Sequence, residues 1–179
     1  MRVRRVAATL LVLPIALALV AAAAVAVLAK RVQGSSMSPT LADAERILVL
    51  PGTSGSAEPL DVVLLHEPGT EITIVKRVIA VEGDRVKIVA GRPVVEVQSG
   101  GVGRWVEVAQ PSWRGRWTDV RDCCDASGRE QLGAAAMVVP PGKLFVMGDN
   151  PDGSRDSREF GWAELASVQG RVWRKVWPL

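Results

Sequence analysis

The longest apolar stretch of the chain comes at its start, from Val6 to Ala29. These 24 residues carry no charged side chain, and only Thr9 and Pro14 interrupt the apolar composition. A helix of this length reaches roughly 36 Å, enough to cross a hydrocarbon core of about 30 Å. A cleaved secretory signal is the alternative, but its apolar region usually has about 7–15 residues. The length therefore predicts that residues 6–29 form a permanent transmembrane helix.

Beyond residue 29 the pattern changes to short apolar segments separated by turn signals such as Pro-Gly, Gly-Asp and Gly-Gly. The segments are rich in Val, Ile, Leu and Trp, as strands are. They are Ile47–Leu50, Asp61–His66, Glu71–Val81, Arg85–Val89, Val94–Val97, Trp105–Val108, Ala136–Val139, Leu144–Met147 and Arg171–Val176. Beyond the anchor, only Trp162–Val168 indicates a short helix. The predicted fold class is therefore mainly β, a domain of twisted, partly closed antiparallel β-sheet.

Residues 99–135 interrupt this pattern with many glycines and with tryptophans scattered among charged side chains. We interpret the segment as an insertion on the rim of the β-core, of unassigned role, and not as a second domain. Its tryptophans are Trp105, Trp113 and Trp117. They either lie in the membrane interface or cover the edge of the β-core, and the pattern leaves both readings open.

The basic charge of the chain is concentrated at its beginning. The net charge is +3, yet residues 32–179 hold 17 Lys and Arg against 19 Asp and Glu. This part has no patch in which Lys and Arg alternate with aromatic residues, so we expect no nucleic-acid partner.

The charges that flank the apolar stretch predict its orientation in the membrane. Three arginines precede it and two basic residues follow it: Arg2, Arg4, Arg5, Lys30 and Arg31. The side with more basic residues stays preferentially in the cytoplasm. We therefore expect a single-pass protein, with residues 1–5 in the cytoplasm and residues 30–179 as one extracytoplasmic domain.

Residues that commonly hold metals are scarce in this sequence. There is one histidine, His66, at the end of a predicted strand, and there are two adjacent cysteines, Cys123 and Cys124. One histidine cannot build an ordinary zinc site, and neighbouring cysteines can pair only in a strained ring. We therefore expect two free thiols, no metal and no cofactor.

A segment of small residues, from Gly34 to Leu41, begins five residues beyond the apolar stretch. Its small side chains let a peptide approach closely, and Pro39 restricts the following turn. Its serines need a base to become nucleophiles, and the lone histidine makes a Ser-His-Asp triad a poor fit. The remaining common arrangement is a Ser-Lys pair, although a segment of this composition is more often a plain linker.

Among the five lysines, Lys76 has the most apolar surroundings. Strand alternation places Ile72, Ile74, Lys76 and Val78 on one face. Burial on such a face disfavours the ammonium form, and lowering a lysine pKa from about 10.4 to about 7–8 requires about 3–4 kcal/mol. The alternative is a lysine at the strand edge whose amine reaches water.

A third segment, from Gly148 to Arg158, is rich in short polar side chains and follows a predicted strand. Its composition suits a hydrogen-bonded loop beside a site, but also a surface turn or an acidic loop that binds a cation. An EF-hand is a poor match, because Glu159 is the eleventh residue from Asp149 and that loop needs glutamate at the twelfth.

Together these segments resemble the sequence boxes of the type I signal peptidases, the Ser-Lys peptidases that release exported proteins from the membrane. The matching boxes, in the family's order, are Ser36-Met37-Ser38-Pro39-Thr40, Lys76-Arg77-Val78-Ile79-Ala80-Val81-Glu82-Gly83-Asp84, and Gly148-Asp149-Asn150 with Ser154, Asp156, Ser157 and Arg158. The resemblance covers nearly the whole chain apart from residues 99–135. The single anchor is similar to the Gram-positive and actinobacterial form of the family.

The resemblance implies a serine endopeptidase of the plasma membrane that removes N-terminal signal peptides from secretory preproteins after small residues, in the pattern Ala-x-Ala. It implies that Ser36 attacks the scissile carbonyl and that Lys76 takes its proton. Ser154 would orient the lysine, and Asp156 would form an ion pair with Arg158. The expected partners are the preproteins and the lipid bilayer, and we expect a monomer.

The resemblance further implies that small substrate side chains enter apolar pockets around Met37, Ile74 and Val75. Two positions depart from the family pattern. Gly34 stands where many relatives carry a serine that helps to form the oxyanion hole, which leaves a backbone N–H or water as the donor. Pro151 stands where the family usually carries arginine.

Three other functions remain compatible with parts of this pattern. One is a Ser-Lys peptidase dedicated to a single substrate class, which only the shape of the pockets would distinguish. Another is a catalytically silent, membrane-tethered β-domain that binds peptides. A self-cleaving regulator of the LexA kind shares the dyad, but no segment here resembles a DNA-binding domain.

Overall fold

The computed structural model describes residues 14–17, 29–50, 53, 56–89, 92, 94–114 and 136–177. Within these ranges, no helix has the length and apolar composition needed to cross a membrane. The predicted cytoplasmic residues 1–5 lie outside the described residues, as does the predicted anchor apart from residues 14–17, which are helical, and residue 29. Trp117, Cys123 and Cys124 also lie outside them.

Eleven strands in the described part of the chain form two sheets. In chain order they are β1 (Lys30–Arg31), β2 (Arg46–Leu50), β3 (Val62–His66), β4 (Thr73–Val81), β5 (Arg85–Ile88), β6 (Val95–Gln98), β7 (Val106–Val108), β8 (Met137–Val138), β9 (Lys143–Met147), β10 (Ala163–Glu164) and β11 (Val168–Trp177). The seven-stranded sheet has the order β1-β2-β11-β3-β4-β9-β10, and the four-stranded sheet the order β7-β6-β5-β8. Neighbouring strands are antiparallel. The predicted mainly β, antiparallel fold is confirmed.

Strand β5 illustrates how side-chain alternation builds the smaller sheet. Val86 and Ile88 are buried, whereas the neighbouring Arg85 and Lys87 are only half-buried. Val86 and Ile88 belong to a core cluster that also receives side chains from the larger sheet: Ile79, Ala80, Phe145 and Met147. The apolar faces of both sheets therefore pack into one core.

Strand β4 connects the two sheets and leaves an edge open. Its residues 73–77 pair with β3, and its residues 77–81 pair with β9, with a bulge between Val78 and Ala80. A turn with Gly83 in the left-handed conformation (φ 82°) leads from β4 into β5. Among the described strands, none pairs with the second edge of residues 73–76. This open edge faces the candidate site described below.

The helix predicted at Trp162–Val168 is wrong. Within this segment, Ala163–Glu164 form strand β10, Leu165–Ser167 form a 3₁₀ turn, and Val168 is the first residue of β11. Trp162, Ala163 and Val168 are each buried, and they divide between two core clusters instead of forming one helical stripe. Packing into two different core clusters therefore overrides the local helical pattern.

A short α-helix that the sequence analysis missed lies just upstream, at Ser157–Phe160. The carboxylate of Asp156 caps it by accepting a hydrogen bond from the backbone N–H of Arg158 at 3.2 Å. This helix is only four residues long, too short to show a periodic apolar pattern in the sequence.

The described part of the predicted rim insertion, residues 99–114, contacts the core directly. It supplies strand β7, which pairs with β6, and it buries Trp113 to 4% exposure in the cluster between the sheets. Trp105 lies beneath the guanidinium of Arg85, 5.6 Å from the ring centroid. For Trp113, the reading in which tryptophan covers the β-core is the correct one.

Truncating a central core side chain should test this architecture. Phe145 is fully buried, and its ring meets that of Trp162 edge-on with centroids 5.8 Å apart. We expect Phe145→Ala to lower the free energy of unfolding by about 3–5 kcal/mol, because it removes packing and leaves a cavity.

Denaturant unfolding of the full chain in detergent would measure this change. The matched control is Val102→Ala, since Val102 is 75% exposed and should change stability by less than about 0.5 kcal/mol. Equal effects of the two substitutions would contradict the assigned core.

Candidate active site

Lys76 projects from β4 into the interior, where the residue is only 2% exposed. Its Nζ donates a hydrogen bond to Ser154 Oγ at 3.1 Å. Burial lowers the pKa of Lys76, and the nearby carboxylates of Asp156 and Glu67 oppose this shift without reversing it. The amine therefore releases its proton more readily than an exposed lysine does.

Ser154 connects the lysine to a buried carboxylate. Its Oγ accepts from Lys76 Nζ and donates to Asp156 Oδ2 at 2.7 Å. Asp156 is fully buried, and Arg158 donates to its two oxygens from Nε and Nη2 at 2.8 and 3.0 Å. Charge and hydrogen bonds thus hold the carboxylate, and the carboxylate in turn orients the hydroxyl that meets the lysine.

The loop that carries Ser36, residues 34–41 and here called the Ser36 loop, packs against residues 148–150. The backbone N–H of Asn150 donates to the carbonyl of Ser36 at 3.0 Å, and Asn150 Nδ2 donates to the carbonyl of Ser35 at 3.1 Å. The Ser36 hydroxyl makes no hydrogen bond to another described residue. The main chain of this loop is therefore fixed while its hydroxyl is available.

Gly148 is the point at which the Ser36 loop and Ser154 come together. A Cβ at this position would lie 2.4 Å from the carbonyl oxygen of Ser36 and 2.2 Å from Ser154 Oγ. Because real Cβ atoms do not approach other atoms so closely, only glycine fits here. The loop that carries Ser36 and the hydroxyl that binds Lys76 are therefore immediate neighbours.

Gly34 has a left-handed backbone conformation, with φ at 84°. Its N–H donates to Asp43 Oδ1 at 2.8 Å, which stabilises the turn that leads into the Ser36 loop. Gly34 has no side-chain donor, and its amide is already engaged by Asp43. It therefore supports the turn and leaves any oxyanion contact to other groups.

The residues proposed to bind substrate line one cleft. This cleft has a volume of about 550 Å³, and Ser36, Met37, Ile74 and Val75 are among its lining residues. Met37 is 1% exposed and packs in a small core cluster beneath the Ser36 loop. Residues 73–75, at the open edge of β4, form one wall of the cleft.

A second buried carboxylate, Asp149, was not assigned a role from the sequence. Arg77 binds it with two hydrogen bonds, Nε to Oδ1 at 2.8 Å and Nη2 to Oδ2 at 2.6 Å. Thr40 Oγ1 also donates to Asp149 Oδ2. Asp149 thereby connects β4, the Ser36 loop and the 148–150 segment. The sequence contained one indication of this contact: the three residues Thr40, Arg77 and Asp149 come one from each of the three boxes that match the family.

In the described part of the chain, His66 has no hydrogen bond to the residues of this site, whereas Pro151 binds Arg158, the partner of Asp156, through its carbonyl. His66 ends β3, as predicted, and its Nε2 lies 2.8 Å from Gln169 Nε2. No cluster of three or more His, Cys, Asp or Glu residues suited to a metal occurs among the described residues. Pro151 is buried and begins a 3₁₀ turn, and its carbonyl accepts from Arg158 Nη2 at 2.8 Å.

Comparison with known proteins agrees with the motifs. The model of the family described as signal peptidase, peptidase S26, matches residues 4–177. Signal peptidase I U of Bacillus subtilis (strain 168) is 33% identical over 129 residues, 71% of this chain and 63% of that protein. Signal peptidase IB of Staphylococcus aureus (strain Mu50 / ATCC 700699) is 32% identical over 155 residues, 82% of this chain and 76% of that protein.

A crystal structure of a signal peptidase I from Enterococcus faecalis V583 is also similar. It has a TM-score of 0.46 and 20% sequence identity, and the match covers 65% of this chain and 96% of that one. The family assignment rests on the family model, which spans nearly the whole chain, and on the Staphylococcus aureus relative, which is 32% identical and is covered over 76% of its length. The resemblance inferred from the motifs is confirmed, and the chain belongs to the signal peptidase family, peptidase S26.

Proposed function

We propose that this protein is a signal peptidase I, a membrane-bound serine endopeptidase that removes N-terminal signal peptides from exported preproteins after small residues. Ser36 is the nucleophile and Lys76 is the general base. The observation that carries this assignment is the buried amine of Lys76, hydrogen-bonded to Ser154 Oγ directly beside the Ser36 loop. Burial lowers the pKa of this amine, so a larger fraction of it is neutral and able to accept a proton than in a surface lysine.

In the proposed mechanism, neutral Lys76 takes the proton of Ser36 as Ser36 Oγ attacks the scissile carbonyl carbon. The lysine then gives this proton to the leaving amine, and an acyl-enzyme remains on Ser36. Lys76 next takes a proton from a water molecule, which attacks the ester, and returns this proton to Ser36 Oγ as the signal peptide is released as a carboxylic acid. Ser154 keeps the amine oriented through both steps, since its own proton is held by Asp156.

The substrate is proposed to bind as an extended strand along the open edge of β4. Unpaired backbone groups of residues 73–76 can form a ladder with it, as in β-strand addition. The apolar wall formed by Ile74 and Val75 and the buried Met37 favour small apolar side chains near the scissile bond. This arrangement supports the Ala-x-Ala preference implied by the family.

The developing oxyanion is proposed to be stabilised by the backbone N–H of Ser36. Relatives with serine two residues before the nucleophile have a further hydroxyl donor there, but Gly34 has none, and its amide binds Asp43. A water molecule is the proposed second donor. Removal of one such donor can change a rate by about 10²–10³-fold.

The proposed location is the plasma membrane, with residues 6–29 as its single span and residues 30–179 on the extracytoplasmic side. Strand β1 begins at Lys30, immediately after the proposed span, and the Ser36 loop follows within a few residues. This short connection would keep the cleft close to the membrane surface, where signal peptides end. The lipid bilayer and the preproteins are the proposed partners.

Removing either member of the dyad should abolish proteolysis. We expect Ser36→Ala and Lys76→Met each to lower kcat/KM at least about a thousandfold, because neither partner can act alone. The assay is cleavage of a preprotein with an Ala-x-Ala site by the full chain in detergent. His66→Ala is the control and should remain within about twofold of the wild type.

Thermal unfolding of the same variants separates chemistry from folding. Lys76→Met should be at least as stable as the wild type, because it replaces a buried amine by an apolar side chain of similar length. Cleavage that persists in this variant would rule out Lys76 as the base.

The pH dependence should follow the protonation of Lys76. Burial lowers its pKa, and only the neutral amine is a base. The plot of kcat/KM against pH should therefore have a rising limb whose midpoint lies below about 10.4, the pKa of an ordinary lysine. The nearby Glu67 carboxylate raises the pKa of Lys76, so Glu67→Gln should move the limb to lower pH. Rate profiles from about pH 5 to about pH 10 would measure both. An acid optimum, or a limb that moves upward in Glu67→Gln, would contradict the assignment.

Substitution of Gly148 by alanine should push the Ser36 loop away from Ser154, the residue that binds Lys76. The methyl group of Gly148→Ala would overlap Ser154 Oγ and the Ser36 carbonyl, which forces the two apart. A displacement of about 1 Å can cost about a hundredfold in rate, and we expect at least that loss in kcat. Steady-state cleavage kinetics of the folded variant would measure it, and an unchanged kcat would show that the two groups need not be close.

A further inference from the structure

The backbone of residues 148–150 links the two groups of the proposed dyad. At one end, the N–H of Gly148 donates to Asp156 Oδ2 at 2.9 Å, the oxygen that also accepts from Ser154, the partner of Lys76. At the other end, the N–H of Asn150 donates to the Ser36 carbonyl at 3.0 Å. The position of this three-residue bridge therefore sets the alignment of Ser36 with Lys76.

The carbonyl groups of the same bridge are held by a different part of the chain. Trp113 Nε1 donates to the carbonyl of Gly148 at 3.2 Å. Its neighbour Ser112 donates from Oγ to the carbonyl of Asp149 at 2.5 Å. Both donors come from residues 99–135, a segment to which the dyad mechanism assigns no role.

Packing fixes the position of the tryptophan donor. Trp113 is 4% exposed and belongs to the core cluster that contains Phe145, Met147 and Trp162. Met147 directly precedes Gly148 in the chain, so the indole packs beside the strand from which the bridge emerges. Its N–H is thus a rigid donor, built on the core and not on a mobile surface side chain.

We propose that Trp113 and Ser112 are positioning residues for the proposed peptidase: they hold the 148–150 bridge at the place where Ser36 and Lys76 can react. This inference rests on the proposed dyad and extends it to a segment outside the family's boxes. Without these donors the two carbonyls turn toward other partners, and the attached N–H groups move with them. Misalignment of reacting groups lowers the rate of the chemical step more than the binding of substrate.

The proposal predicts a specific kinetic signature. Neither Trp113 nor Ser112 lines the cleft proposed to bind the substrate. We expect Trp113→Phe, which keeps an aromatic ring but removes the N–H, to lower kcat about tenfold or more with KM within about twofold. Ser112→Ala should lower kcat in the same way, whereas Ser112→Thr retains the hydroxyl and should retain kcat within about threefold.

The experiment compares these variants of the full chain in detergent, with a preprotein substrate and with thermal unfolding of each variant. The matched control is Trp105→Phe, the same chemical change in the same segment, at a ring that lies beneath Arg85. This control should keep the kcat and KM of the wild type. A purely structural role of Trp113 would lower the unfolding temperature but leave the kcat of the folded enzyme unchanged.

Each outcome decides the proposal. The proposal is supported if kcat falls in Trp113→Phe and Ser112→Ala while their KM stays unchanged. The two comparison variants, Trp105→Phe and Ser112→Thr, should then keep the kcat of the wild type. An unchanged kcat in Trp113→Phe, or a loss confined to KM, overturns it while the dyad stands. If Trp113→Phe does not fold, the contrast between Ser112→Ala and Ser112→Thr decides in its place. A wild-type chain that cleaves no preprotein, at the level of Ser36→Ala, overturns the proposed function and this inference with it.

Discussion

Lys76 carries an amine into the interior of a β-domain, where it is 2% exposed and donates to the hydroxyl of Ser154. Burying an ammonium ion is unfavourable, so this environment lowers the pKa of the side chain. Asp156, itself buried and bound by Arg158, opposes the shift and at the same time holds Ser154 in place. The balance of burial and nearby charge thus leaves the amine easier to deprotonate than that of an exposed lysine, as the proposed general base requires.

Tertiary contacts then bring the Ser36 loop next to Ser154, the residue that binds this amine. Gly148 lets the Ser36 loop and Ser154 approach each other, and Asn150 binds the carbonyl of Ser36. The ion pair between Arg77 and Asp149 joins the 148–150 segment to β4, and Thr40 of the Ser36 loop donates to the same carboxylate. Because adjacent residues of a strand point to opposite faces, Lys76 and Arg77 reach different partners: Lys76 binds Ser154, and Arg77 binds Asp149.

The strand pattern was predictable because alternating burial leaves a trace in the sequence. Each predicted strand overlaps an observed one, with ends that shift by up to three residues, as for β4, which begins at Thr73 and not at Glu71. The error at Trp162–Val168 has a tertiary cause, since its apolar residues pack on two different core clusters. The four-residue helix at Ser157–Phe160 is determined by the cap from Asp156, a contact within the site itself.

The sequence by itself determined the family, the mainly β fold and the candidates Ser36 and Lys76, because these follow from local motifs, residue alternation and the shortage of histidine. The three-dimensional structure alone decided which distant residues meet: Thr40 and Arg77 at Asp149, and Trp113 at Gly148. It also decided which part of β4 lacks a neighbouring strand among the described ones, the edge at which we propose that the substrate binds. Such features depend on how strands pair and pack, and no periodicity within one segment encodes the position of another segment across the core.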